Sequence, residues 1–162
     1  MNDDGPYDIE INNSHAYDCV DPAMLRNSIG EALRRFEVAG AEISIAVVSD
    51  NEIATLHQEY LNISGPTDVL TFDLSGAPND SQAPRGIEGE LVLSAETAMR
   101  CASQNKHSAA AELALYAVHG LLHLLGMNDK DEREAAKMHR LEDEILMAVG
   151  VGRVFGESSS CA

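Results

Sequence analysis

Two histidines four residues apart, a glycine and an aspartate punctuate the stretch HGLLHLLGMND, His119 to Asp129. Residues at that separation on an α-helix differ by about 40° in azimuth, so His119 and His123 leave the same helix face and can reach one ion. The run around them is apolar, and imidazole rings in apolar surroundings need partners; a shared metal ion satisfies both at once. Gly126 can take the left-handed conformation that ends a helix and turns the chain back, which brings a residue a few positions later towards the same ion. Asp129 stands there. Asp131, Glu132 and the side-chain carbonyl of Asn128 compete for the third place, but His, His, Gly and Asp at positions 1, 5, 8 and 11 of the stretch match the spacing of a metzincin-type zinc site. The expected ligands are therefore His119, His123 and Asp129.

In zinc proteases the residue after the first histidine is a glutamate that acts as general base. Here it is Gly120, which argues against peptide hydrolysis. Phosphodiester cleavage suits the remaining parts, because a divalent ion acidifies a bound water, the expected nucleophile, and neutralises charge developing on phosphoryl oxygens. An RNA substrate would also bring its own 2′-hydroxyl.

The elements that must position these residues follow from the patterning. YDIEINN alternates as an edge strand does. Asp21-Pro22 is a helix start, followed by Met24, Leu25, Ile29, Ala32, Leu33 and Phe36 at helical spacing up to a stop near Gly40. EISIAVVSD reads as a strand covered on both faces. Asp50 is expected to cap the next helix, with Ile53, Leu56, Tyr60 and Leu61 on its inner stripe. NISGPT is a turn, VLTF and GELVLS are strands, and SGAPNDSQAPRG between them is a mobile flap or a functional loop. A helix from Ser94 to about Lys106 precedes AAELALYAVHGLLHLLG, capped by Ser108, apolar nearly all round and therefore buried. The last helix carries Ala135, Met138, Leu141, Ile145 and Leu146 on one stripe. Together these predict an α+β fold, a small mixed sheet of about four strands covered by about five helices, forming one metal-dependent hydrolase domain over 1–149 with a flexible tail over 150–162.

The whole chain narrows the setting. A length of 162 residues suits one core. No apolar run approaches the roughly 20 residues of a membrane span, and the acidic start is unlike a signal peptide, so a cytoplasmic protein is expected. Three scattered cysteines, Cys19, Cys101 and Cys161, suit a reducing compartment. The formal charge of −16 opposes nucleic-acid binding at long range. Lys130, Arg133, Lys137 and Arg140 leave room for a local basic surface, although Asp131, Glu132, Glu134, Glu142 and Asp143 among them read as a solvated, salt-bridged face.

HGLLHLLGMND resembles the signature of the YbeY family of bacterial rRNA-maturation endoribonucleases, in which a third histidine stands where this chain has Asp129. SGPTDVLTFDL, GELVLSAETA and EISIAVVSDNEIATLHQEYL resemble other family segments, so the likeness spans most of residues 40 to 130. It implies a metal-dependent, single-strand-directed endoribonuclease acting in 16S rRNA 3′-end maturation and ribosome quality control. Its partners would be ribosomal RNA, pre-ribosomal particles and ribosomal proteins, and one zinc ion per chain would be held by His119, His123 and Asp129. Two departures matter: a basic residue common in the family is Leu61 here, and Asp129 adds a negative ligand that favours harder ions than an all-histidine site would.

Other residues read more simply. His57 and His107 are expected to face solvent or cap helices, His139 to be exposed, and Cys101 to be a small buried apolar group. Asp68 either caps a turn or accepts a histidine N–H. Three competing functions remain: an assembly factor with a structural metal, a metalloprotease opposed by Gly120, and an iron oxygenase opposed by the placement of both histidines on one helix.

Overall fold

The computed structural model describes residues 5–75 and 86–152. Along the chain these form β1 (Tyr7–Asn12), α1 (Pro22–Arg35), β2 (Gly40–Val48), α2 (Asp50–Leu61), β3 (Val69–Asp73), β4 (Gly86–Ser94), α3 (Ala95–Asn105), α4 (Ala109–Leu124) and α5 (Glu132–Ala148). The α+β class, the mixed sheet and the number of elements agree with the sequence reading. Most of SGAPNDSQAPRG, residues 76–85, and the tail from residue 153 lie outside the described residues.

Strand order is β1-β2-β4-β3. β1 and β4 run parallel to β2, while β3 is antiparallel to β4, so β1 and β3 form the edges. Each parallel pair needs a crossover, supplied by α1 for the first and by α2 with β3 for the second. One sheet face is apolar: Ile9, Ile43, Ile45, Val47, Leu91 and Leu93 are buried against α1 and α4 in the main core.

β2 departs from expectation. Its burial alternates instead of being continuous, with Ala41, Ile43, Ile45 and Val47 inside while Glu42 is exposed. Only the far end of the second face is covered, where Ile53 of α2 meets Leu70 and Val92, with Ala46, Val48, Leu56 and Phe72 around them. The rest carries acids in register: Asp8, Glu42 and Glu88 face one another across three strands, as do Glu10, Ser44 and Glu90.

α2 also differs from the reading. Ser49, not Asp50, is its N-cap, and with Glu52 it forms a full capping box. Asp50 is then free to accept hydrogen bonds from Ser94 Oγ at 2.6 Å and Thr97 Oγ1 at 2.8 Å and to pair with Arg100. Tyr60 and Leu61, expected inside, are 61% and 55% exposed. The small cluster under α2 ends at Leu56, and the last turn overhangs it, leaving Tyr60 an edge contact with Phe72.

The other helices start as the sequence indicates, with Asp21, Ser94 and Ser108 each accepting from a backbone N–H three residues on. α4 is enclosed by α1, α3, α5 and the sheet, which is why its sequence shows no polar face. After α5, Gly150 turns the chain, and Val151 N donates to Leu146 O at 2.8 Å while its side chain packs on the core. Among the described residues no helix is long and apolar enough to cross a membrane.

Candidate metal centre

The C-terminus of α4 builds the site. Gly126 has φ +101°. Its N–H donates to His123 O at 3.0 Å and that of Met127 to Leu122 O at 3.0 Å, the paired bonds of a Schellman turn. This reversal carries Met127 O back to His123 Nδ1 at 3.1 Å and swings Asp129 over the histidine face. Gly126 thus takes the left-handed turn expected of it.

His119 Nε2 and His123 Nε2 lie 3.1 Å apart, with Asp129 Oδ2 at 3.8 Å from the first and 4.0 Å from the second. These three side chains form a cluster in which one ligand atom from each lies within 4.8 Å of the others. Two of the competing groups make other bonds: Asp131 caps α5 through Glu134 N at 2.8 Å, and Asn128 Oδ1 accepts from Lys130 N. Glu132 begins α5.

Both Nδ1 atoms face acceptors. Met127 offers a carbonyl to His123, and Glu142 Oε2 lies 2.6 Å from His119 Nδ1. Each ring then carries its proton on Nδ1 and turns the Nε2 lone pair inward. Two lone pairs facing at 3.1 Å repel unless a cation lies between them or one nitrogen is protonated. Tetrahedral zinc with bonds near 2.05 Å needs its ligand atoms about 3.3 Å apart, so the nitrogens are already close to spacing and the aspartate must move by only about half an ångström. The donor set fits a divalent ion. In the protein alone, burial lowers the His119 pKa, but the hydrogen bond and charge of Glu142 outweigh it, with Asp68 and Asp129 adding to them, so the net direction is upward.

Glu142 corrects the sequence reading, which placed it on a solvated face of the last helix. It is fully buried, and Oε1 has no hydrogen-bond partner among the described residues. The signal was present: Met138, Glu142, Ile145 and Leu146 share one helical stripe, and all are buried. Lys130, Arg133, Lys137 and Arg140 are exposed, as expected.

Gly120 faces the sheet. A Cβ there would stand 3.0 Å from Thr71 Cγ2 and 3.1 Å from both Leu91 Cδ2 and Val69 Cγ2, so the position cannot present a general base to the site. Asp68 caps a turn by accepting from Val69 N at 2.8 Å and makes no bond to either histidine ring. His107 is not solvent-facing; it pairs with the buried Glu112 in the first turn of α4. His57 Nδ1 meets Gly65 O at 3.0 Å, and His139 is half-buried instead of exposed. Cys101 is buried.

Fold and site together define a small α+β protein with a candidate metal centre on one buried helix and the turn after it. The family model for endoribonuclease YbeY matches residues 10–150, and the chain belongs to that family. A Corynebacterium glutamicum protein named endoribonuclease YbeY is 37% identical over 145 residues, covering 85% of this chain and 74% of its own. Relatives of the same name from Moorella thermoacetica and Micrococcus luteus are 42% and 33% identical, covering 72% and 87% of this chain and 78% and 91% of theirs. The solution structure of TM1509 from Thermotoga maritima shares the fold, with a TM-score of 0.56 at 23% identity over 86% of this chain and 90% of that one.

Proposed function

We propose that this protein is a metal-dependent endoribonuclease that cuts single-stranded RNA in 16S rRNA 3′-end maturation and ribosome quality control, working in the cytoplasm on pre-ribosomal particles. The observation that carries this reading is the pair of inward-facing imidazole nitrogens 3.1 Å apart with Asp129 beside them, in a chain of the endoribonuclease YbeY family. His119, His123 and Asp129 would hold one zinc ion. Such an ion supplies Lewis acidity, acidifying water and offsetting charge that develops on phosphoryl oxygens. The chain's own part is positional. The Schellman turn fixes His123 through the Met127 carbonyl and places Asp129 on the solvent side. Its side chain is 46% exposed, against 23% and 30% for His119 and His123, so substrate approaches from that side. A single strand can lower one phosphodiester there without unwinding.

Metal analysis and cleavage of a single-stranded RNA by wild type and His123→Ala test this reading. Wild type is expected to carry about one ion per chain, and the variant to lose both ion and cleavage while keeping its circular dichroism spectrum. Retained cleavage in the variant rules out the metal mechanism. A formal charge of −16 favours one other reading, an assembly factor with a structural metal; it gains if the loaded wild type binds pre-ribosomes and cuts no RNA.

A further inference from the structure

α5 buries a stripe of Met138, Ile145 and Leu146, and the residue at the centre of that stripe is a carboxylate. An isolated charge at such a position lowers stability unless it is fully paired, and Glu142 is only half paired: Oε2 meets His119 Nδ1 at 2.6 Å, while Oε1 has no partner among the described residues. An apolar residue of similar size would avoid the buried charge but leave the His119 Nδ1–H without its acceptor. Its retention at one histidine nitrogen therefore points to that histidine.

We infer that Glu142 is a positioning residue for His119, accepting the Nδ1–H so that the ring is held in one tautomer and one orientation with Nε2 turned towards Asp129 and His123. His123 needs no such residue, because the Met127 carbonyl does the same for it from the turn. Without Glu142 the His119 ring can rotate and can carry its proton on Nε2, and both changes remove the lone pair from the ion's position. α5 thus enters the metal centre without contributing a ligand. Of Glu112 and Glu142, the carboxylates buried among the described residues, only the latter touches the site.

The inference rests on the site holding a divalent ion, and the test separates the two ideas. Zinc affinity is measured by competition with a chromophoric chelator for wild type, Glu142→Leu, Glu142→Gln and Glu142→Asp, together with the melting temperature of each metal-free protein. Leu removes the acceptor, Gln keeps an acceptor in place without the charge, and Asp keeps the charge but withdraws it by one methylene. Leu and Asp are expected to bind zinc 10- to 100-fold more weakly, and Gln to stay within about tenfold of wild type. The metal-free melting temperatures show whether a loss of zinc reflects unfolding, since Leu also leaves the His119 Nδ1–H without its acceptor. Should Leu fail to fold, the contrast between Gln and Asp decides alone. Equal affinities throughout, or Gln as weak as Asp, would overturn the positioning role. Absence of zinc binding by wild type would instead overturn the metal reading beneath it.

Discussion

Gly120 shows why one position of the site motif cannot be read by analogy with zinc proteases. It lies on the helix face that meets β3 and β4, where three carbon atoms stand 3.0 to 3.1 Å from any added Cβ. Overpacking of this kind costs about 1–3 kcal/mol, because the sheet behind it has little room to shift. Gly120→Ala is therefore expected to destabilise by that amount, read as a fall in the urea midpoint with unchanged slope. Stability equal to wild type would show that α4 and β3 can separate freely. The clustering of His119, His123 and Asp129 is legible because helical periodicity and one glycine fix their relation within eleven residues. Glu142 is not, since its partner lies 23 positions away and the contact depends on how α5 crosses α4. Arg140, Asp143 and Glu144 around it are charged, and local composition places it outside. Its helical stripe, taken alone, places it inside, and packing decides between them.

The elements themselves were legible wherever capping chemistry is local. Asp21, Ser94 and Ser108 each sit before a helix and behave as caps, but at Ser49-Asp50 two capping residues stand side by side. Glu52 settles the choice, since only Ser49 has a glutamate three residues on to complete a capping box. The displaced Asp50 instead ties the start of α2 to α3. Burial raises its pKa, but hydrogen bonds from Ser94, Arg100 and Thr97 and the Arg100 charge more than reverse this, so its carboxyl lies below the ordinary value of 3.8. A group whose folded pKa is depressed contributes stability above its unfolded pKa and loses it as pH falls through the folded value. Asp50→Asn is accordingly expected to cost about 1–2 kcal/mol at pH 7. The gap to wild type should close as pH drops below about 4. Urea melts of both proteins at several pH values check this, and a gap that persists undiminished at pH 2.5 would assign the effect to shape instead of charge.

At the scale of the whole molecule the charge is unevenly spread. The sheet face turned away from α4 presents Asp8, Glu10, Glu42, Glu88 and Glu90 in register, whereas the exposed Lys130, Arg133, Lys137 and Arg140 follow directly after the metal motif. Under the proposed function, RNA approaches on the α4 and α5 side. Those four cations alternate with Asp131, Glu132, Glu134 and Asp143, so their field is largely cancelled locally and the molecule as a whole repels a polyanion. Gripping four phosphates would give a salt slope near −2.8 for a single strand, or about a 300-fold loss between roughly 20 and 150 mM salt. If the proposed ion is the main contact with substrate, a molecule of formal charge −16 should instead gain from screening about what it loses in phosphate contacts. We therefore expect kcat/KM on a short single-stranded RNA to change less than about threefold over that range, and not to fall steeply. A slope as steep as the four-phosphate value would mean that the basic side chains of α5 hold the strand despite their acidic neighbours. The RNA path would then run along α5 instead of ending at the metal.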